Sequence, residues 1–135
     1  VWIADFIFTR CPGACPVMTG HMQEIHKAYL EDERVNFVSI SVDPEYDVPA
    51  VLHDYAREHE AMPGKWTFLT GPIEKIHNLA AAEFKLGSLE KPQDHSSRLV
   101  LMDGQSTIRG YYDAFDDEAM EQLRIDLARL LEESS

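Results

Sequence analysis

Both cysteines of this 135-residue chain lie in one octapeptide, TRCPGACP, at residues 9–16. Cys11 and Cys15 are four positions apart, and each is followed by a proline. Such a pair could form a structural disulfide, a redox dithiol or part of a metal site. A disulfide that closes so short a loop would stabilise the fold only weakly. A structural zinc site needs four ligands, and a second cysteine pair is absent. A redox couple and a soft-metal site therefore remain open.

A third ligand would separate these two interpretations, and six histidines are available. His95 is the strongest candidate because it lies in the polar segment QDHSS, directly before an apolar run. The other histidines are expected elsewhere: His21 and His26 on the surface of the first helix, His53 exposed on the second helix, and His59 and His77 in packed or boundary positions. Met18 and Met22 could offer thioethers, but their helical spacing favours packing in the core.

The elements that must position these residues follow from the hydrophobic pattern. Apolar runs and helical periodicities alternate in the order β-α-β-α-β-α-β-β-α. The predicted strands cover 1–8, 35–43, 65–71, 98–103 and 106–112, and the predicted helices cover 16–31, 49–60, 73–84 and 116–132. Asp103-Gly104 is a dipeptide that favours a tight hairpin turn between the last two strands. The pattern predicts one α/β domain over 1–135, with sheet order third, second, first, fourth, fifth and helices on both faces.

This arrangement places TRCPGACP at the carboxyl end of the first strand, where open α/β sheets usually carry their chemistry. Pro12 and Pro16 each restrict the preceding residue to extended conformations, so neither cysteine is expected inside a helix. Cys15 would then lie just before the first helix, whose dipole lowers the pKa of a thiol at that end.

The strand that follows His95 is expected to neighbour the first strand, which would bring His95 close to Cys11. Two thiolates and an imidazole form a soft ligand set that selects copper, especially Cu(I). Asp43 ends the second strand and has two possible roles. It could cap the turn at Pro44, or it could lie in the outer shell of the site and orient His95.

Composition excludes several classes of partner. Twenty-four acidic and twelve basic residues give a net charge of −12, which argues against nucleic acid and against anionic membrane surfaces. No apolar run approaches the ~20 residues that span a bilayer. The chain begins on Val1 within a predicted strand, so we expect that a leader or anchor precedes it in the full protein.

The chain resembles the SCO1/SenC family, the copper-binding assembly factors of cytochrome c oxidase, over essentially its whole length. The resemblance is carried by FTRCPGACP and the helix after it, by SVDPEYD at 41–47, and by DHSSRLVLMDGQSTIRGYY at 94–112. The family's CxxxCP motif matches Cys11, Cys15 and Pro16, and its distant copper-binding histidine matches His95. The chain departs from many members in the residues before Asp94, where it has Lys-Pro-Gln.

The resemblance implies a thioredoxin-like, three-layer fold and a site in which Cys11, Cys15 and His95 bind Cu(I) or Cu(II). It implies a metallochaperone that delivers copper to the copper-bearing subunit of cytochrome c oxidase. A thiol-disulfide oxidoreductase that uses the Cys11/Cys15 dithiol to reduce a partner's cysteines stays open as the alternative. Family members carry a β-hairpin and a membrane anchor upstream, so the full protein is expected outside the cytoplasm, in the bacterial periplasm or envelope, or in the mitochondrial intermembrane space.

Overall fold

The computed structural model describes residues 1–7, 9, 14–78, 98–105 and 107–134, without the side chains of residues 14–16, 73, 77 and 134. Its elements follow the predicted order. They are β1 (Trp2–Ile7), α1 (Ala14–Ala28), β2 (Asn36–Ser41), α2 (Pro49–Glu58), β3 (Trp66–Leu69), α3 (Ile73–Asn78), β4 (Arg98–Met102), β5 (Ile108–Asp113) and α4 (Asp117–Ser134). None of the helices in these ranges is long and apolar enough to cross a membrane.

The five strands form one mixed sheet in the order β3-β2-β1-β4-β5, which confirms the predicted order. β1, β2 and β3 are parallel, with Ile3 opposite Phe37 in the first pair. β4 runs antiparallel to β1, and β5 antiparallel to β4. β1 takes the central position because its residues 3–7 are buried on both faces of the sheet, as its nearly continuous apolar sequence requires.

Helices cover both faces of the sheet, as predicted. Successive strand residues point to opposite faces, so Ile3 and Phe37 face one layer while Ala4 and Val38 face the other. The first layer is filled by α1 and α4, with Met18, Met22, Leu123 and Leu127 fully buried. The second layer includes Ile76 of α3. The burial of Met18 and Met22 confirms that both thioethers pack in the core.

The start of α1 differs from the prediction. The helix begins at Ala14, so the backbone of Cys15 lies in its first turn rather than before it. Pro16 is compatible with this position because the first four N–H groups of a helix have no acceptor within the helix, and the missing donor costs no bond there. The restriction that proline imposes on the preceding residue is a preference, and here the helix begins despite it.

His26 was predicted on the surface, and this prediction is wrong. Only 1% of the residue is exposed, and its ring centroid lies 5.5 Å from that of Phe37 and 5.3 Å from that of Trp66. The backbone N–H of Met62 donates to its Nε2 at 3.3 Å. Burial lowers the pKa of His26, with further lowering by the charges of two lysines. The side of α1 that carries His26 is covered by the segment between α2 and β3, which helical periodicity alone does not reveal.

The remaining histidines with described side chains lie closer to expectation. His53 is exposed on α2, and His59 is half-buried with its ring centroid 4.5 Å from that of Tyr55. His21 is partly buried rather than fully at the surface. The side chain of His77 lies outside the described part of the chain.

Candidate functional site

β1 and β2 are parallel neighbours, so the segments that follow them begin at the same edge of the sheet, where both strands have their carboxyl ends. β1 ends at Ile7, whose carbonyl accepts a hydrogen bond from the N–H of Val42 at 2.8 Å. Thr9 follows β1 and stands two residues before Cys11. The cysteine segment therefore departs from the carboxyl end of the central strand, next to the segment SVDPEYD that follows β2.

Asp47 joins these two segments. The residue is fully buried, and its Oδ2 accepts hydrogen bonds from the N–H of Thr9 at 3.0 Å and from the hydroxyl of Ser41 at 2.7 Å. Its Oδ1 accepts the hydroxyl of Thr9. Hydrogen bonds to a charged acceptor contribute about 1.5–3 kcal/mol each. The carboxylate thereby fixes the first part of the cysteine segment against the end of β2.

Asp43 forms the turn that brings Asp47 into this position. Its carbonyl accepts hydrogen bonds from the N–H groups of Tyr46 at 3.2 Å and Asp47 at 2.8 Å, and its own N–H donates to the hydroxyl of Ser41 at 3.1 Å. Only 5% of Asp43 is exposed. The backbone of Asp43 thus has the turn role that the sequence suggested. Its role in orienting His95 stays a prediction, because His95 lies outside the described residues.

A second buried carboxylate lies on β1 itself. Asp5 is fully buried opposite Ser39 of β2, whose hydroxyl donates to Oδ1 at 2.5 Å and accepts the indole N–H of Trp66 at 3.1 Å. Oδ2 of Asp5 has no hydrogen-bond partner. Burial raises the pKa of Asp5 to about 7, and the hydrogen bond from Ser39 offsets only part of this rise. Asp5 is therefore a proton-binding group inside the core, on the strand that leads to the cysteines.

The predicted ligands themselves fall outside what the structure describes, namely Cys11, the side chain of Cys15, and His95. Within the described residues, no group of three or more His, Cys, Asp or Glu side chains could hold a metal ion. β4 begins at Arg98, three residues after His95, and runs antiparallel beside β1. Its first residue therefore lies toward the carboxyl end of β1. Three residues of chain span at most about 10 Å.

Sequence reasoning missed two residues of this region, Asp47 and Asp5. Asp5 carried a signal, since it is the one charged residue in the apolar run VWIADFIF. Asp47 belongs to the segment SVDPEYD, but nothing in the local sequence indicates its role, because its partner Thr9 is 38 positions away.

Comparison with known proteins identifies the family that this chain resembles. The sequence model described as SCO1/SenC matches residues 1–132. A protein of Bacillus subtilis named "SCO1 protein homolog" is 41% identical over 95 residues, which cover 69% of this chain and 49% of that protein. The chain thus spans about half the length of this curated relative.

Solved structures agree with the sequence match. A SCO1/SenC family lipoprotein from Bacillus anthracis superposes with a TM-score of 0.84 at 31% identity, over 96% of this chain and 80% of that one. BsSco, described as a Sco-family cytochrome c oxidase assembly protein with a disulfide switch, gives 0.80 at 32% identity, over 96% and 78%. Arabidopsis thaliana ScoI with copper bound gives 0.73 at 28% identity, over 95% and 83%. These similarities show the Sco version of the thioredoxin-like fold.

Proposed function

This chain belongs to the SCO1/SenC family, and we propose that it is a metallochaperone that binds copper through Cys11, Cys15 and His95 and delivers it to the copper site of cytochrome c oxidase. The proposal is carried by the sheet order, in which β4 is the direct neighbour of β1. In this order Arg98, the first residue of β4, lies toward the carboxyl end of β1, and His95 is three residues before it in the sequence. A. thaliana ScoI, which shares the fold, has been solved with copper bound.

The chemistry of the three proposed ligands suits transfer of a copper ion rather than its permanent retention. Two thiolates and an imidazole prefer Cu(I), and a three-coordinate ion has room for a further ligand. A thiolate of the acceptor protein can therefore add before Cys11, Cys15 or His95 leaves. Copper moves by exchange of ligands, with no change in its oxidation state.

The partners and location follow from the same proposal. The acceptor is the copper-bearing subunit of cytochrome c oxidase, and BsSco is described as an assembly protein of that enzyme. The full-length protein would work outside the cytoplasm from a membrane anchor. The B. anthracis relative, which is described as a lipoprotein, supports an anchored form.

Removal of the proposed imidazole ligand tests the three-ligand site. We expect the reduced wild-type protein to bind one copper ion. Loss of an outer-shell partner lowers metal affinity roughly 10- to 100-fold, and the loss of a direct ligand in His95→Ala should lower the copper affinity by more than that. Cys15→Ser should abolish both copper binding and disulfide formation. His53→Ala is the matched control, because His53 is exposed on α2 and should leave binding unchanged. Copper titration and Cu(II) absorption give the readout. Unchanged affinity and spectrum for His95→Ala would rule out the site.

The second candidate function is thiol-disulfide exchange, which the disulfide switch described for BsSco favours. One thiolate of the Cys11/Cys15 dithiol would attack a partner's disulfide and release one of the partner's sulfurs as a thiolate. The other cysteine would then attack the resulting mixed disulfide and release the partner's second thiolate. Two electrons and two protons pass to the partner, and Cys11 and Cys15 become a disulfide. This reaction needs no imidazole, so a His95→Ala variant that keeps its dithiol activity while losing copper would separate the two functions.

A further inference from the structure

Asp47 holds the approach to the cysteines at two points. Thr9 donates to it through both its backbone N–H and its hydroxyl, one to each carboxylate oxygen. Two such bonds restrict rotation of the side chain as well as displacement of the backbone. If the buried carboxylate lost its hydrogen-bond donors, the folded state would be destabilised by several kcal/mol. The link between Asp47 and Thr9 should therefore persist as long as the protein is folded.

The carboxylate is itself firmly placed. Its second oxygen also accepts the hydroxyl of Ser41, the last residue of β2, and the N–H of Asp47 donates to the carbonyl of Asp43 at 2.8 Å. The following helix, α2, packs on α1 through a 2.9 Å hydrogen bond between the hydroxyls of Tyr55 and Thr19. Asp47 is therefore buried and bonded to the end of β2 and to the turn before α2, while the chain that it holds leads directly into the cysteines.

We propose that Asp47 is a positioning residue for the Cys11–Cys15 dithiol, acting through Thr9. The inference rests on the proposed function, since it states how the fold sets the position of two of the proposed copper ligands. Cys11 is only two residues beyond Thr9 in the sequence, and two residues of chain span at most about 7 Å. The start of α1 holds the backbone of Cys15 from the other side of the segment.

Loosening this link should weaken both reactions of the dithiol. Two sulfurs that are held close together combine more readily than two that move independently, because their translational and rotational freedom is already restricted. We expect Asp47→Asn and Thr9→Val to lower the equilibrium constant for disulfide formation about tenfold, which raises the midpoint potential by about 30 mV. Copper affinity of the reduced protein should fall at least as much.

The experiment compares four variants with the wild type. Asp47→Asn and Thr9→Val remove the charge and the hydroxyl of the link, and Thr9→Ser restores a hydroxyl donor and should restore wild-type values. Tyr112→Phe is the matched control, because it also removes a hydroxyl that donates to a carboxylate, at 2.5 Å to Asp126, on the strand beyond β4. Each protein is measured for its urea unfolding free energy, its dithiol midpoint potential in a glutathione buffer, and its copper affinity.

If Asp47 and Thr9 only stabilised the fold, their substitution would change the unfolding free energy and leave the midpoint potential unchanged. If Thr9→Val and Asp47→Asn raise the midpoint potential while Tyr112→Phe, despite a similar loss of stability, does not, the positioning role is supported. If their potentials stay at the wild-type value, or if Tyr112→Phe shifts equally, the inference is overturned. Thr9→Val decides the question if Asp47→Asn does not fold. A wild-type protein that binds no copper would refute the proposed function, and the potentials would still decide the role of Asp47.

Discussion

Replacing Asp5 by asparagine should change how the stability of the protein depends on pH. Burial raises the pKa of Asp5 from 3.8 to about 7, so the folded chain holds this proton more tightly than the unfolded chain does. The stabilisation that results is complete below about pH 4, where both states are protonated. It is lost as the pH rises toward 7, because the folded chain then has to keep a buried carboxylate with one unpartnered oxygen.

The size of the effect follows from the shift of the pKa. A shift of about three units corresponds to about 4 kcal/mol, of which about 2–3 kcal/mol is lost between pH 5 and pH 8. Asparagine has nearly the same shape and keeps an acceptor for the hydroxyl of Ser39, but it does not titrate. Any cost of its amide group is independent of pH. The unfolding free energy of Asp5→Asn minus that of the wild type should therefore rise by about 2–3 kcal/mol from pH 5 to pH 8.

Urea unfolding of both proteins at pH 5, 6, 7 and 8 measures this difference, and groups common to both chains cancel. Asp126→Asn is the control, since the hydrogen bond from Tyr112 lowers the pKa of Asp126 and places its titration below this range. Its difference from the wild type should be constant over the same four values. A constant difference for Asp5→Asn would show that Asp5 titrates normally and that the argument from burial is wrong.

Two further substitutions test the packing of the fold. Lys65→Met should lower the unfolding free energy by about 2–4 kcal/mol in urea, because Nζ donates at 2.6 and 2.8 Å to two backbone carbonyls before β2. A loss below about 0.5 kcal/mol would refute that role. Met22→Leu should cost less than about 1.5 kcal/mol, since it preserves volume in the core, and copper titration should give the wild-type affinity. A weaker affinity would instead make the thioether a ligand.

Local patterns predicted most of the architecture. The apolar run at residues 1–8 has to be buried on both faces of the sheet. Its central position could therefore be inferred from those residues alone. The alternation of strands and helices then restricted the sheet order, because right-handed crossovers leave few ways to connect parallel strands. The choice of the cysteines, His95 and Asp43 as site residues depends on the types and spacing of the residues, and it stays a prediction.

The sequence was less informative where a residue's setting depends on distant segments. His26 lies on a side of α1 that the helical pattern indicates to be solvent-exposed. It is buried because Phe37, Trp66 and the backbone of Met62 contact it. Cys15 was expected before α1 because of a local preference at Pro16, which the helix start overrides.

By itself, the sequence determined the order of the elements, the central strand and the chemical types available at its carboxyl end, because each depends on neighbours within one strand or helix turn. Only the tertiary structure decided that Asp47 holds Thr9 and that Asp5 is buried beside Ser39 with a raised pKa. Both depend on partners more than thirty positions away. The register of β1 against β2 and the turn at Asp43 bring those partners within hydrogen-bond distance. No short stretch of sequence contains both partners of either hydrogen bond.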